Sequence, residues 1–277
     1  MIFRKRTIPD EEIMTLKEQR SMLGDQLNFA AAEAYKLLRA NLTFSLPDEQ
    51  KCRVVGVTSA VRGEGKSTTS INLAYTLAET GKRVLLVEAD MRRPQLAHRL
   101  AIDAAPGLSN LLAGLCREKD VVQDVGLLEN MKVITSGDVP PNPSELLGSE
   151  RMSTVVETLA QSFDFIIFDL PPVNAVSDGL VVSRFIQGMI VVVRQDYSDQ
   201  QGLSAALRQL GYMHIKVLGF VMTHSSISGG RYGRYGRYGR YGRYGQYGRY
   251  ESESRETGAD QERARKTGSA KSRKSKR

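Results

Sequence analysis

The stretch AVRGEGKST, residues 60–68, lies between an apolar run that reads as a strand, RVVGVTSA, and a run that reads as a helix, KSTTSINLAYTLAETGK, closing on Gly81. A chain built this way must pass from strand to helix through a glycine-rich loop. The backbone N–H groups of Gly63, Glu64, Gly65 and Lys66 then ring a crook at the positive end of the helix, where anions bind. The stretch fits the phosphate-loop pattern GxxxxGK[ST], with Ala60 in the place of the first glycine. On this reading Lys66 neutralises the β and γ phosphates of a nucleotide, Ser67 ligates Mg²⁺ and Thr68 contacts the α phosphate.

Strand and helix signals alternate from there on. RVLLVEAD, MKVITS, FDFIIFDL, GMIVVVRQ and IKVLGFVM read as further strands, separated by helical stretches such as PSELLGSERMSTVVETLAQS and SDQQGLSAALRQLGY. Continuous apolar strands suit a sheet covered on both faces, so the expected class is α/β: a mostly parallel sheet flanked by helices, a P-loop nucleotide-binding fold. Residues 10–46 read as a helical lead-in, with Ala31, Tyr35, Leu38 and Leu42 on one face. The expected division is a lead-in over 1–45, a P-loop domain over 46–228 and a tail over 229–277.

Two carboxylate segments accompany the loop. FIIFDLPP ends an apolar strand at Asp169, where a carboxylate can hold the metal through water or orient the reacting groups. VLLVEADMRRP ends another with Glu88, Asp90 and Arg92, which strand alternation places on one side. One of these acids is expected to take the proton of an incoming hydroxyl or to bind Mg²⁺ through water. The sequence leaves open which does which.

The tail differs in kind. Tyrosine recurs at 232, 235, 238, 241, 244, 247 and 250, six of the seven after an arginine and one after Gln246, with glycine at nearly every third position. Residues 229–277 hold 15 Lys+Arg against 5 Asp+Glu, a balance of +10, which leaves 24 against 26 for residues 1–228. The whole-chain +8 therefore belongs to the tail, and a near-neutral body gives no sign of a nucleic-acid surface. With almost no aliphatic residues, the tail is expected to remain disordered. No apolar run reaches the roughly 18–20 residues of a membrane span, the start lacks a signal-peptide core, and Cys52 and Cys116 have no metal-ligand spacing. The expectation is a cytoplasmic protein with reduced thiols.

The segments AEAYKLLRANLTFS, TSAVRGEGKSTTSINLA, VLLVEADMRRP, PPNPSELLGSERM and FDFIIFDLPPV, in that order, resemble the bacterial tyrosine kinases that govern capsule and exopolysaccharide export. The resemblance covers about residues 28–225, and a tyrosine-rich C-terminal tail is a further trait of that family. It implies ATP- and Mg²⁺-dependent phosphorylation of protein tyrosines, with VLLVEADMRRP as Walker A′ and FDFIIFDLPPV as Walker B. Glu88 stands where the family has the first Asp of Asp-x-Asp. Glu33, Lys36 and Arg39 stand where it has the subunit-contact motif Glu-x-x-Arg-x-x-Arg, which implies a homo-oligomer. In PPNPSELLGSERM, Ser144 reads as the cap of the helix that follows. Thr223 stands where related nucleotide-binding proteins often carry an adenine-contacting asparagine.

The resemblance is to the split form of the family. It implies a separate transmembrane activator, a chain-length-determinant protein, that recruits the kinase to the inner face of the membrane, and a cognate tyrosine phosphatase. The tyrosine row then becomes a tethered substrate, reaching roughly 75 Å when extended at about 3.4 Å per residue. Each phosphate adds about −1.5 to −2, so phosphorylation would oppose any contact between the basic tail and an anionic membrane surface. The competing readings are a positioning ATPase of the MinD and ParA type, an RNA-binding adaptor and a small-molecule kinase. Val61 stands where the first type carries its trans-acting lysine, and the other two leave either the catalytic residues or the tyrosine row unexplained.

Overall fold

The computed structural model describes residues 22–46 and 51–225. The seven-tyrosine row and the basic end lie outside the described residues, and the expectation of a disordered tail falls there with them.

The lead-in helix is α1 (Phe29–Ser45), capped by Asn28, whose side chain accepts from the Ala31 amide at 2.9 Å. Its expected inward face holds: Ala31, Tyr35 and Leu38 are half-buried and Leu42 is buried. Next come β1 (Arg53–Ser59), α2 (Lys66–Ala78) and β2 (Val84–Glu88), then three short helices, α3 (Leu96–Leu100), α4 (Leu108–Leu112) and α5 (Glu118–Val121). The strands β3 (Gln123–Asp124) and β4 (Met131–Ile134) precede α6 (Pro143–Leu147) and α7 (Glu150–Ala160). The described chain closes with β5 (Phe165–Asp169), α8 (Asp178–Val182), β6 (Gly188–Arg194), α9 (Gln200–Tyr212) and β7 (Val217–Thr223).

The seven strands form one sheet in the order β3-β4-β2-β5-β1-β6-β7. All neighbours are parallel except β3, which runs antiparallel to β4. Six of the seven strands are the apolar runs; β3 has two residues, both polar, and carries no such signal. Alternation along each strand divides the apolar residues between two cores. Val55, Val57, Leu86, Ile167 and Ile190 face α1, α2 and α3 and meet Leu42, Ile71, Leu77 and Leu96. Their neighbours Val87, Ile166, Phe168 and Val191 face the other way and meet Leu108, Leu147, Met152 and Leu210. Each such fully buried side chain stabilises the fold by about 1.5–3 kcal/mol.

One helical expectation is corrected. Residues 143–160 form two helices instead of one, broken at Gly148, and it is Ser149 that caps the second by accepting from the Met152 amide. Ser144 lies inside α6 and gives its hydroxyl proton to Asp178 instead. No helix among the described residues is long and apolar enough to cross a membrane, and both cysteines are free.

The strand order places the site. β1 lies between β5 and β6, so the chain leaves β1, passes over β5 to β2, and only later returns to fill both sides. In open parallel sheets ligands bind beyond the carboxyl ends at such a reversal, and there the loop after β1 sits.

Candidate active site

The loop between β1 and α2 takes its shape from two left-handed glycines, Gly63 (φ 78°) and Gly65 (φ 96°), the second being the N-cap of α2. Residues with a Cβ avoid this region, so glycine is required here. Ala60 is buried and serves as part of the core beneath the loop. The walls of the loop come from far along the chain. The Thr223 hydroxyl donates to the Glu64 carbonyl at 2.7 Å and Arg194 Nη1 donates to the Gly63 carbonyl at 3.1 Å. The side chain of Glu64, wholly buried, accepts from the Val61 amide at 2.8 Å and from the Ser198 hydroxyl.

Lys66 and Ser67 open α2 and line a cleft of about 270 Å³ with Gly65, Asp90 and the arginines 62, 93 and 99. Asp169, at the end of β5, is buried behind it and bonded by the Ser67 hydroxyl and, at 3.1 Å, by Ser70 Oγ. Burial pushes the Asp169 carboxyl above its ordinary range, and the charge of Lys66 opposes the shift. Asp90 behaves alike, raised by burial and restrained by Lys66, while its Oδ1 accepts from the Arg93 amide at 3.1 Å.

The grouping of Glu88, Asp90 and Arg92 on one side is corrected. β2 ends at Glu88, so the alternation that would align the three stops at the first of them. Glu88 is register partner of Asp169 but turns away from the cleft: Oε1 accepts from the amides of Gln95 and Leu96, and Oε2 from that of Ser136 at 3.1 Å. Burial raises its carboxyl to about 7 against the pull of these amides. Arg92 points elsewhere again, pairing at 2.8 Å with the buried Asp178, which also receives Ser144. Of the three, Asp90 alone lines the cleft. Among the described residues no three His, Cys, Asp or Glu side chains gather as a metal cage. A hydroxyl beside one or two carboxylates suits Mg²⁺, which keeps several waters and binds mainly through substrate phosphates. Ser67 and Asp169 form such a pair.

Residues 52–217 match the AAA domain family. The chain is 34% identical over 197 residues to tyrosine-protein kinase YwqD of Bacillus subtilis (strain 168), an alignment covering 71% of this chain and 82% of that one. The chain belongs to the bacterial tyrosine-protein kinases. This kinase is also 35% identical over 203 residues to tyrosine-protein kinase CpsD of Streptococcus pneumoniae serotype 4, covering 73% of this chain and 88% of the relative. Among solved structures, the kinase domain of Escherichia coli tyrosine kinase ETK matches with a TM-score of 0.68 at 30% identity, over 81% of this chain and 85% of that one. The septum site-determining protein MinD of Pyrococcus horikoshii, complexed with Mg-ADP, matches at 0.52 and 24% identity, a likeness of fold alone.

The motifs assign no role to several residues of this kinase's site. Arg62, Arg93 and Arg99 line the cleft, and Arg99 Nη1 donates to the Thr68 hydroxyl at 3.1 Å. Arg62 lies within the loop motif and Arg93 is the second arginine of DMRRP; Arg99 has no signal, because a lone arginine in a helix is ordinary, and Thr223 stands out only as the residue in place of an adenine-contacting asparagine, not as a support of the loop. On α1, Glu33 and Lys36 form an exposed pair at 2.8 Å, whereas Arg39 reaches the Thr76 carbonyl of α2 at 2.7 Å. The three residues of the presumed contact motif are thus separated in use within one subunit.

Proposed function

We propose that this chain is an MgATP-dependent protein-tyrosine autokinase of capsule or exopolysaccharide production, phosphorylating the tyrosine rows of neighbouring copies. The convergence of Lys66, Ser67 and Asp90 on one cleft with Asp169 bonded behind it, in a chain of this family, carries the reading. The loop amides of Gly63, Glu64, Gly65 and Lys66 bind the phosphates, Thr68 supports the α phosphate and Lys66 neutralises the β and γ phosphates. Ser67 and Asp169 would hold Mg²⁺, which when bound would further neutralise the phosphate oxygens.

Asp90 is the group placed to take the tyrosine proton. As the phenolic oxygen forms its bond to the γ phosphorus, the bond from phosphorus to the β-bridging oxygen breaks, the proton passes to Asp90 and ADP leaves. Burial, which raises the proton affinity of Asp90, aids that transfer. Glu88 and Arg92 support the reaction from behind, Glu88 by fixing the turn at Gln95 and Leu96 and Arg92 by its pair with Asp178. The acceptors are Tyr232, Tyr235, Tyr238, Tyr241, Tyr244, Tyr247 and Tyr250. Residues 1–45 supply the subunit contact through Glu33, Lys36 and Arg39, residues 46–228 the kinase and residues 229–277 the substrate. A separate transmembrane activator recruits the protein to the inner face of the membrane, and a cognate phosphatase resets it.

Intact-mass analysis before and after phosphatase treatment tests this, with MgATP and with Lys66→Met alongside. A ladder of up to seven phosphates in the wild type and none in the variant is the expected result. Steady ATP hydrolysis with no protein phosphate would return the chain to the positioning-ATPase reading.

A further inference from the structure

A buried carboxylate inside an anion-binding loop is electrostatically out of place, since it repels the phosphates that the loop exists to hold. Glu64 is wholly buried, yet it does not line the cleft, and its oxygens are occupied by the Val61 amide and the Ser198 hydroxyl. The side chain therefore ties the loop to itself and to the segment after β6.

The main chain of the same loop is held at two carbonyls. In a planar trans peptide the C=O and the following N–H point in opposite directions, so a carbonyl fixed outward aims the next amide inward. The bond from Arg194 to the Gly63 carbonyl sets the direction of the Glu64 amide, and the bond from Thr223 to the Glu64 carbonyl sets that of the Gly65 amide. Both amides belong to the ring proposed to bind phosphate. The supports are themselves joined, for the Gln195 amide donates to the Thr223 carbonyl at 3.1 Å and the Arg194 amide to Ser198 Oγ at 2.8 Å.

We propose that Thr223 and Arg194 are positioning residues that aim the Gly65 and Glu64 amides at the phosphates, with the Glu64–Ser198 contact locking the loop between them. The proposal rests on the nucleotide site described above. It gives Thr223 a task through the loop backbone in place of contact with adenine.

The test uses the full chain, with calorimetric binding of two probes, MgADP and the base-free magnesium tripolyphosphate, to wild type, Thr223→Val, Thr223→Ser and Ser198→Ala. Thr223→Val keeps the shape and loses the donor; it should weaken both probes about tenfold, equivalent to roughly 1.4 kcal/mol. Thr223→Ser should restore wild-type binding, and the thermal midpoint without nucleotide should stay within a few degrees throughout. Ser198→Ala, on an accessible loop, should weaken both probes about threefold, and it decides the matter if Thr223→Val proves unstable. Loss on MgADP without loss on tripolyphosphate would assign Thr223 to the base and overturn the proposal, as would unchanged binding in both Thr223→Val and Ser198→Ala. A wild type that binds neither probe would remove the nucleotide site itself, and this inference with it.

Discussion

At the scale of single residues, the two acids of the EAD segment carry opposite lessons. A carboxyl near 7 is what a general base is expected to show, and Glu88 has it. Both of its oxygens are nevertheless taken up by backbone amides away from the cleft, while Asp90 lines the cleft with only Oδ1 bonded, and once. Asp90→Asn should therefore lower the rate of tyrosine phosphorylation about 10²–10⁴-fold, the usual contribution of a positioned base, with MgATP affinity near that of the wild type. Phosphotyrosine accumulation beside nucleotide titration measures both. Glu88→Ala should act differently: it strands buried amides, each costing about 1–3 kcal/mol when unsatisfied, so its first effect is a lower unfolding midpoint. The phosphate loop and both acids were legible in the sequence because each is a short run beside an apolar strand. The division of labour between the acids was not, because it depends on where β2 stops. Beyond the last strand residue, alternation no longer sets where a side chain points.

Among the elements, the sheet is the most legible part, and its energetics follow from position. β5 is central and buried on both faces, so Ile167→Ala should destabilise the domain by about 2–5 kcal/mol in denaturant titration, with no direct loss at the cleft. The start of β5 is fastened to the approach to β2 by Asp164, which receives Arg83 Nη2 at 2.8 Å and the Arg83 amide at 2.8 Å. Arg83 holds the Asp164 carboxyl below its ordinary value. A carboxyl lowered in the folded state stabilises at pH above its unfolded value, about 3.9, and loses that effect as pH falls through the folded value. Asp164→Asn should thus lower the unfolding midpoint at pH 7, and the gap from wild type should narrow progressively as pH falls below about 3.9. A gap independent of pH would mean that the ion pair is not its source. The short elements were less legible than these strands. The break at Gly148 rests on one glycine followed by the Ser149 cap inside an otherwise continuous helical pattern, and the two polar residues of β3 show no strand period.

For the whole molecule, the proposed function predicts a reaction between copies. Wild-type chain ending at residue 228, mixed with full-length Lys66→Met, should place phosphate on the inactive partner's tyrosines, and the rate should rise with the concentration of either. No phosphate in that mixture, under conditions in which full-length wild type phosphorylates its own row, would point to transfer within one subunit. The support of the phosphate loop has a consequence for synthesis as well. Its three fastenings join residues 131, 134 and 159 positions apart in the chain. Contacts so distant in sequence close late, so a chain emerging from the ribosome would possess Lys66 and the glycines long before it could grip a triphosphate. Catalytic competence would arrive with the last strand, and a half-made kinase could neither consume ATP nor mark its neighbours.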